Sequence, residues 1–132
     1  MYLERATIRR IEQVLMLGSV VTLLTGLGLL FFPAALMELL RMEGRHLAFV
    51  QLSGLLLAIL GAAYVTTLLE REKNRAILTL GFFQKLGVAV LVLTGALLGN
   101  LPTQMLAVSV FDGLMALFFL LHVQGARSDG WL

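Results

Sequence analysis

Two charged side chains stand inside long apolar runs. Lys85 lies in GFFQKLGVAVLVLTG, residues 81–95, and Asp112 lies in SVFDGLMALFF, residues 109–119. An ionisable group near mid-bilayer costs about 2.5–3.5 kcal/mol on insertion scales, so it faces protein or water rather than lipid. Their opposite signs make them natural partners. A buried Lys–Asp pair can fix the register of the helices that carry it. It can also serve as a proton or ligand site, because desolvation changes how such groups hold protons. The lack of a further acidic relay residue along the path favours the first use, and both stay open at this point.

Geometry tests the pairing. Counted from the same side of the membrane at 1.5 Å per residue, Lys85 lies at a depth of ~13 Å and Asp112 at ~18 Å. Side chains lean toward the N-terminus of their own helix, so this ~5 Å offset widens between antiparallel neighbours. The long lysine stem and helix tilt must close it. The alternative partners are Tyr64, Thr22 or backbone carbonyls for Lys85, and Ser53, Thr25 or Thr94 for Asp112. Gln84 and Gln51 are further candidates for hydrogen bonds between helices, and either can contact a ligand.

Other chemistry is sparse. The chain has no cysteine, which removes disulfides, thiolate metal sites and cysteine nucleophiles together. His46 and His122 fall near opposite membrane faces, which excludes one haem held by both within a monomer. Each reads as an interfacial polar residue. The six methionines are scattered and form no copper-type cluster. Phe118 and Phe119 read as core or lipid-facing. The sequence predicts no catalytic residue, metal or cofactor; a lipid or a quinone is the ligand class that a bundle around Lys85 and Asp112 would take.

The elements that position these groups follow from composition. Hydrophobic residues make up 59% of the 132 residues and charged residues 14%, against about 25% charged in soluble domains. Lipid is therefore the expected solvent, and nucleic acid is not an expected partner, because the basic residues flank apolar runs instead of lining one surface. Spanning the hydrocarbon core takes about 20 apolar residues in a helix. Four runs satisfy this: 14–32, 47–69, 76–98 and 104–123. Without sustained alternation a β-barrel is excluded, and each segment closes its own backbone hydrogen bonds as a helix. The first run is long enough to span and lacks a small-residue cleavage site, so it is expected to be retained. The prediction is one all-α domain, an up-down-up-down four-helix bundle whose short loops make consecutive spans antiparallel neighbours.

Cations set the direction. Arg5, Arg9, Arg10, Arg71, Lys73, Arg75 and Arg127 share one side, while the other side holds Arg41 and Arg45. The positive-inside rule then places both termini in the cytoplasm. Residues 1–12, MYLERATIRRIE, set Leu3, Ile8 and Ile11 among Arg and Glu. This reads as a basic amphipathic run-in lying at the cytoplasmic headgroups, the plainer alternative being the start of a long first helix. In FFPAALMELLRMEG, Pro33 suits a first helical position and Gly44 a stop. A short helix over 33–42 on the outer interface is predicted, with Leu36, Leu39 and Leu40 on its membrane face.

Lipid tails provide little hydrophobic force between helices, so small residues mark close contacts. Gly18, Thr22 and Gly26 recur at four-residue spacing in the first span. Gly54, Ala58, Gly61 and Ala62 cluster on one side of the second. The two faces are predicted to pack on each other, or to serve self-association between protomers.

The order of features resembles small bacterial four-helix membrane proteins of the DoxX-like and BphX-like type. The features are an apolar helix ending in Phe-Pro, a second helix AFVQLSGLLLAILGAAY, a charged turn LEREKNR, then a Lys-bearing third and an Asp-bearing fourth helix. The resemblance implies a multi-pass protein of the bacterial inner membrane, in some relatives linked to quinone chemistry, and carries no catalytic residue over. Three functions are compatible with the chain: a non-catalytic structural or accessory subunit of a membrane complex, a lipid- or quinone-binding protein, and a small homodimeric transporter. The last is weakened because the first span lacks the acid that small multidrug transporters use there.

Overall fold

The computed structural model describes residues 4–42, 47–70 and 73–128. They form five helices: α1 (Arg5–Phe31), α2 (Pro33–Leu39), α3 (Leu47–Leu69), α4 (Arg75–Leu97) and α5 (Met105–Ser128). All but α2 are long and apolar enough to cross a membrane. Around the bundle the order is α1, α3, α4, α5, with α1 packed most closely on α3 and α4 on α5. Neighbours are antiparallel: Gly26 meets Gly54 while Gly61 meets Leu23, and Gly81 meets Phe119 while Ser109 bonds Ala89. The predicted short loop between the second and third spans does not make them intimate neighbours. The α3–α4 contact is the sparsest between adjacent spans.

From Arg5 onward the amphipathic run-in is part of α1. No break separates it from the span, and Ile8 and Ile11 are buried in the bundle rather than laid on headgroups. The reason is spacing. Ile8, Ile11, Leu15, Ser19, Thr22 and Gly26 recur every three or four residues, so one buried stripe runs the length of the helix. Arg5, Arg9 and Arg10 lie on the exposed side. Leu3 falls outside the described residues.

The short helix starts as its sequence dictates, with Pro33 at its first position. It stops earlier than predicted. Arg41 takes φ 55, the Arg41 N–H donates to Glu38 O and the Met42 N–H to Met37 O. That is the paired bonding of a Schellman stop with arginine in the left-handed position usually given to glycine. Gly44 is not the terminator and lies outside the described residues. Leu36 packs against the notch at Gly28 of α1, Met37 is buried, and Leu39 is 75% exposed. The end of α4 uses the same motif with glycine: Gly99 has φ 78, and the Gly99 and Asn100 N–H groups donate to Ala96 and Gly95.

The small-residue faces meet where α1 and α3 cross. A methyl on Gly26 would lie 2.7 Å from Gly54 O and 2.8 Å from Ala58 Cα, and one on Gly54 2.7 Å from Gly26 O. These obstacles are backbone atoms, so the contact exists only because both residues are glycine. Gly61 approaches Leu23 as closely. The stripe does not stay on one partner, however. Gly18 faces Met115 of α5, Thr22 receives Lys85 of α4, and Ala62 is exposed. Each four-residue step advances about 40° around a helix of 3.6 residues per turn, so the stripe winds from one neighbour to the next.

Away from this seam the interior fills with large side chains. Ile11, Leu15, Tyr64, Leu68, Leu78, Met115, Phe119 and Val123 form one cluster toward the N-terminal end of α1. A ring of apolar residues, among them Leu17, Phe49, Leu91 and Val110, points outward, as expected where lipid is the solvent.

Candidate functional site

Lys85 enters the bundle from α4 and reaches two other helices. Its Nζ lies 3.0 Å from Asp112 Oδ1 of α5 and donates to Thr22 Oγ1 of α1 at 2.6 Å. Thr22 in turn donates to the Gly18 carbonyl at 2.9 Å. The Phe111 ring lies 5.7 Å from the ammonium, near enough for a cation–π contribution. The side chains of Lys85 and Asp112 are 3% and 8% exposed. The charge is thus enclosed by protein, with a carboxylate and a hydroxyl taking its protons.

The depth offset anticipated from the sequence is closed by helix register. Gly81 faces Phe119 and Ala89 faces Ser109, which sets Lys85 about two residues, or ~3 Å of rise, from the level of Asp112. A lysine stem spans that. Ser109 donates to Ala89 O at 2.8 Å, one turn away from the pair, and fixes the same register.

The adjacent residue does parallel work on the remaining helix. Tyr64 of α3 donates its hydroxyl to Gln84 Oε1 at 3.2 Å. Its ring rests against Phe119 at 5.2 Å between centroids. Tyr64 is therefore a partner of Gln84 and not of Lys85. Consecutive residues of α4 hold three different helices: Gln84 holds α3, and Lys85 holds α1 and α5. Gln51 stands apart, exposed, and donates to Leu30 O at 3.1 Å. Ser53 returns its hydroxyl to Phe49 O, and Thr94 is exposed. The candidates thus resolve into a centre of Thr22, Lys85 and Asp112, with Tyr64–Gln84 beside it. Gln51 does not join them. Gly26, Gly54, Ala58 and Gly61 form the close seam, and Gly18 leaves room for Met115.

A second polar contact between helices was not anticipated. His122 of α5 is fully buried, and its Nε2 lies 3.0 Å from Glu12 Oε1 of α1. His122 is thus a buried polar residue of the bundle; His46 lies outside the described residues. Among the described residues His122 Nδ1 is buried with no partner, as is Ser19 Oγ of α1. A signal existed in the sequence. Glu12 occupies the buried stripe with Ile8, Leu15 and Ser19, and His122 follows Asp112, Met115 and Phe119 at three- and four-residue steps.

Near the same end an open groove of about 370 Å³ is lined by Arg9, Glu12, Gln13, Met16 and Leu68. None of these is a residue of the Lys85 centre. Among the described residues no three His, Asp or Glu side chains gather as a metal site. The charged turn does local work instead. Lys73 donates to Leu68 O at 2.6 Å and to Glu70 O, closing the end of α3. Asn74 Oδ1 accepts from Ala76 N–H and Ile77 N–H, opening α4. The chain is a helical bundle with four helices long and apolar enough to cross a membrane and an enclosed Lys–Asp centre, and comparison with protein-family models, curated proteins and solved structures finds no match.

Proposed function

We propose that the protein is a non-catalytic structural or accessory subunit of a membrane complex, with Lys85–Asp112 holding its helices in register. The observation that carries this reading is the enclosure of Lys85. Its ammonium is committed to Asp112 and Thr22 at 3% exposure, and the open groove lies elsewhere. A ligand site at Lys85 needs space beside the ammonium, and the side chains of Lys85 and Asp112 are almost wholly covered by protein. On this reading the setting is the bacterial inner membrane with both termini cytoplasmic, as the cation distribution indicates. The partner is another membrane protein or a second copy of the chain, and the resemblance to DoxX-like and BphX-like proteins is consistent with such a role.

The test is what accompanies the protein out of the membrane. Extraction in mild detergent followed by mass measurement is expected to give a particle larger than one 14.4 kDa chain with its detergent, containing a second polypeptide or further copies. A monomer carrying a stoichiometric quinone, seen by its ultraviolet absorbance, would contradict the accessory role and favour the quinone-binding alternative.

A further inference from the structure

α4 carries one polar group to the outside of the bundle. Gln84 is half-buried, and its Oε1 accepts the Tyr64 hydroxyl. Its Nε2 has no partner among the described residues, yet it is not one of the enclosed atoms left without a partner. The amide nitrogen therefore reaches the surface. It does so ~12 Å into the predicted span 76–98, where hydrocarbon offers it no acceptor.

Gln84 also stands in an open row. Leu80, Gln84, Gly87, Leu91 and Thr94 follow in alternating steps of four and three, the spacing one helix presents to a parallel partner. Leu80 is 51% and Leu91 73% exposed, and Gly87 and Thr94 are exposed. The glycines of the α1–α3 seam are used inside the chain: Gly26 meets Gly54, and Gly61 meets Leu23. Gly87 is different, because nothing lies within 4 Å of a methyl placed there. A glycine three residues from an unpaired amide lets a second backbone approach closely enough to serve it.

We propose that this face of α4 binds a second copy of the chain. Copies inserted in the same orientation share a twofold axis along the membrane normal, which sets each α4 residue opposite itself at one depth. A carboxamide is self-complementary in that arrangement. Each Gln84 Nε2 donates to the partner's Gln84 Oε1, whose second lone pair is not used by Tyr64. Both amides are then satisfied together. A lipid ester could accept from Nε2, but it needs no backbone approach at Gly87. The inference rests on the accessory role proposed above and names the second copy as its partner.

The chain has no cysteine, so single introduced cysteines report the contact in native membranes. On oxidation Leu91→Cys should give a covalent dimer. Leu24→Cys of α1 and Val110→Cys of α5, also outward-facing, should not. In the purified full chain Gln84→Leu should weaken dimerisation about tenfold, the size of two hydrogen bonds between membrane helices, read as dimer fraction against detergent dilution. Tyr64→Phe removes the internal bond but keeps the amide, so its dimer fraction should match the unaltered chain. Equal cross-linking at all three positions overturns the proposal, as does none at Leu91→Cys. A dimer indifferent to Gln84→Leu, or weakened as much by Tyr64→Phe, overturns it too. A monomer whose bound lipid is lost with Gln84→Leu would assign the amide to lipid instead. A complex with a different polypeptide and no Leu91→Cys cross-link would overturn the homodimer and leave the accessory role standing. A cross-linked dimer carrying a stoichiometric quinone would do the reverse.

Discussion

Two polar contacts of similar length lie at different depths in the bundle, and they differ in what surrounds them. Lys85 and Asp112 meet at 3.0 Å with both side chains nearly inaccessible, and a third helix joins through Thr22. His122 and Glu12 also meet at 3.0 Å, but Glu12 is 23% exposed and borders an open groove. Enclosure decides what each can do. A charge with every partner inside the protein couples helices. A charge with one side open can also meet a ligand. Distance alone would have ranked the two contacts equal.

The difference should appear first in the cost of breaking each pair. Lys85→Met leaves the Asp112 carboxylate enclosed without its cation, and should lower stability on the order of 3 kcal/mol, read as thermal unfolding in detergent. An unchanged midpoint would show that water or lipid headgroups already serve Asp112.

Next in size is a contact without any charge. Gly26→Ala places a methyl against the backbone of Gly54 and Ala58, and should cost about 1–3 kcal/mol by forcing α1 and α3 apart. Gly87→Ala is its control, since nothing lies within 4 Å of a methyl there. Equal behaviour of the two alanines would remove the glycine seam from the account.

His122→Phe keeps the packing volume and removes the partner of Glu12. The groove offers Glu12 other contacts, so the loss should be about 1 kcal/mol, the ordinary scale of a hydrogen bond. A loss matching that of Lys85→Met would erase the contrast between enclosed and open pairs. Smallest is Tyr64→Phe, which leaves Gln84 Oε1 without its donor at 3.2 Å and should cost up to about 1 kcal/mol. A gain in stability there would mean that the hydroxyl is held at a net cost.

The contrast also explains what the sequence revealed. Four spans were legible because length and apolar composition leave a bilayer helix few alternatives. Lys85 and Asp112 were legible because each interrupts an apolar run. Their meeting was not, since it depends on a register set by Gly81, Phe119, Ala89 and Ser109 across two helices. Glu12 stayed hidden among the charges of RATIRRIEQ, where an acid at a helix end looks solvated. Only extending the buried stripe of α1 back to Ile8 marks it as inward. The stop at Arg41 was illegible for a different reason: glycine is the usual residue in that conformation, and Gly44 offered itself nearby.

The central claim is that Lys85 and Asp112 act on each other and serve the bundle. A double-mutant cycle in detergent tests it most directly, comparing Lys85→Met, Asp112→Leu and the double variant by thermal unfolding. The account predicts that each single change is strongly destabilising and that the double variant recovers much of the loss, because no enclosed charge is left without a partner. Losses that simply add would contradict the pair.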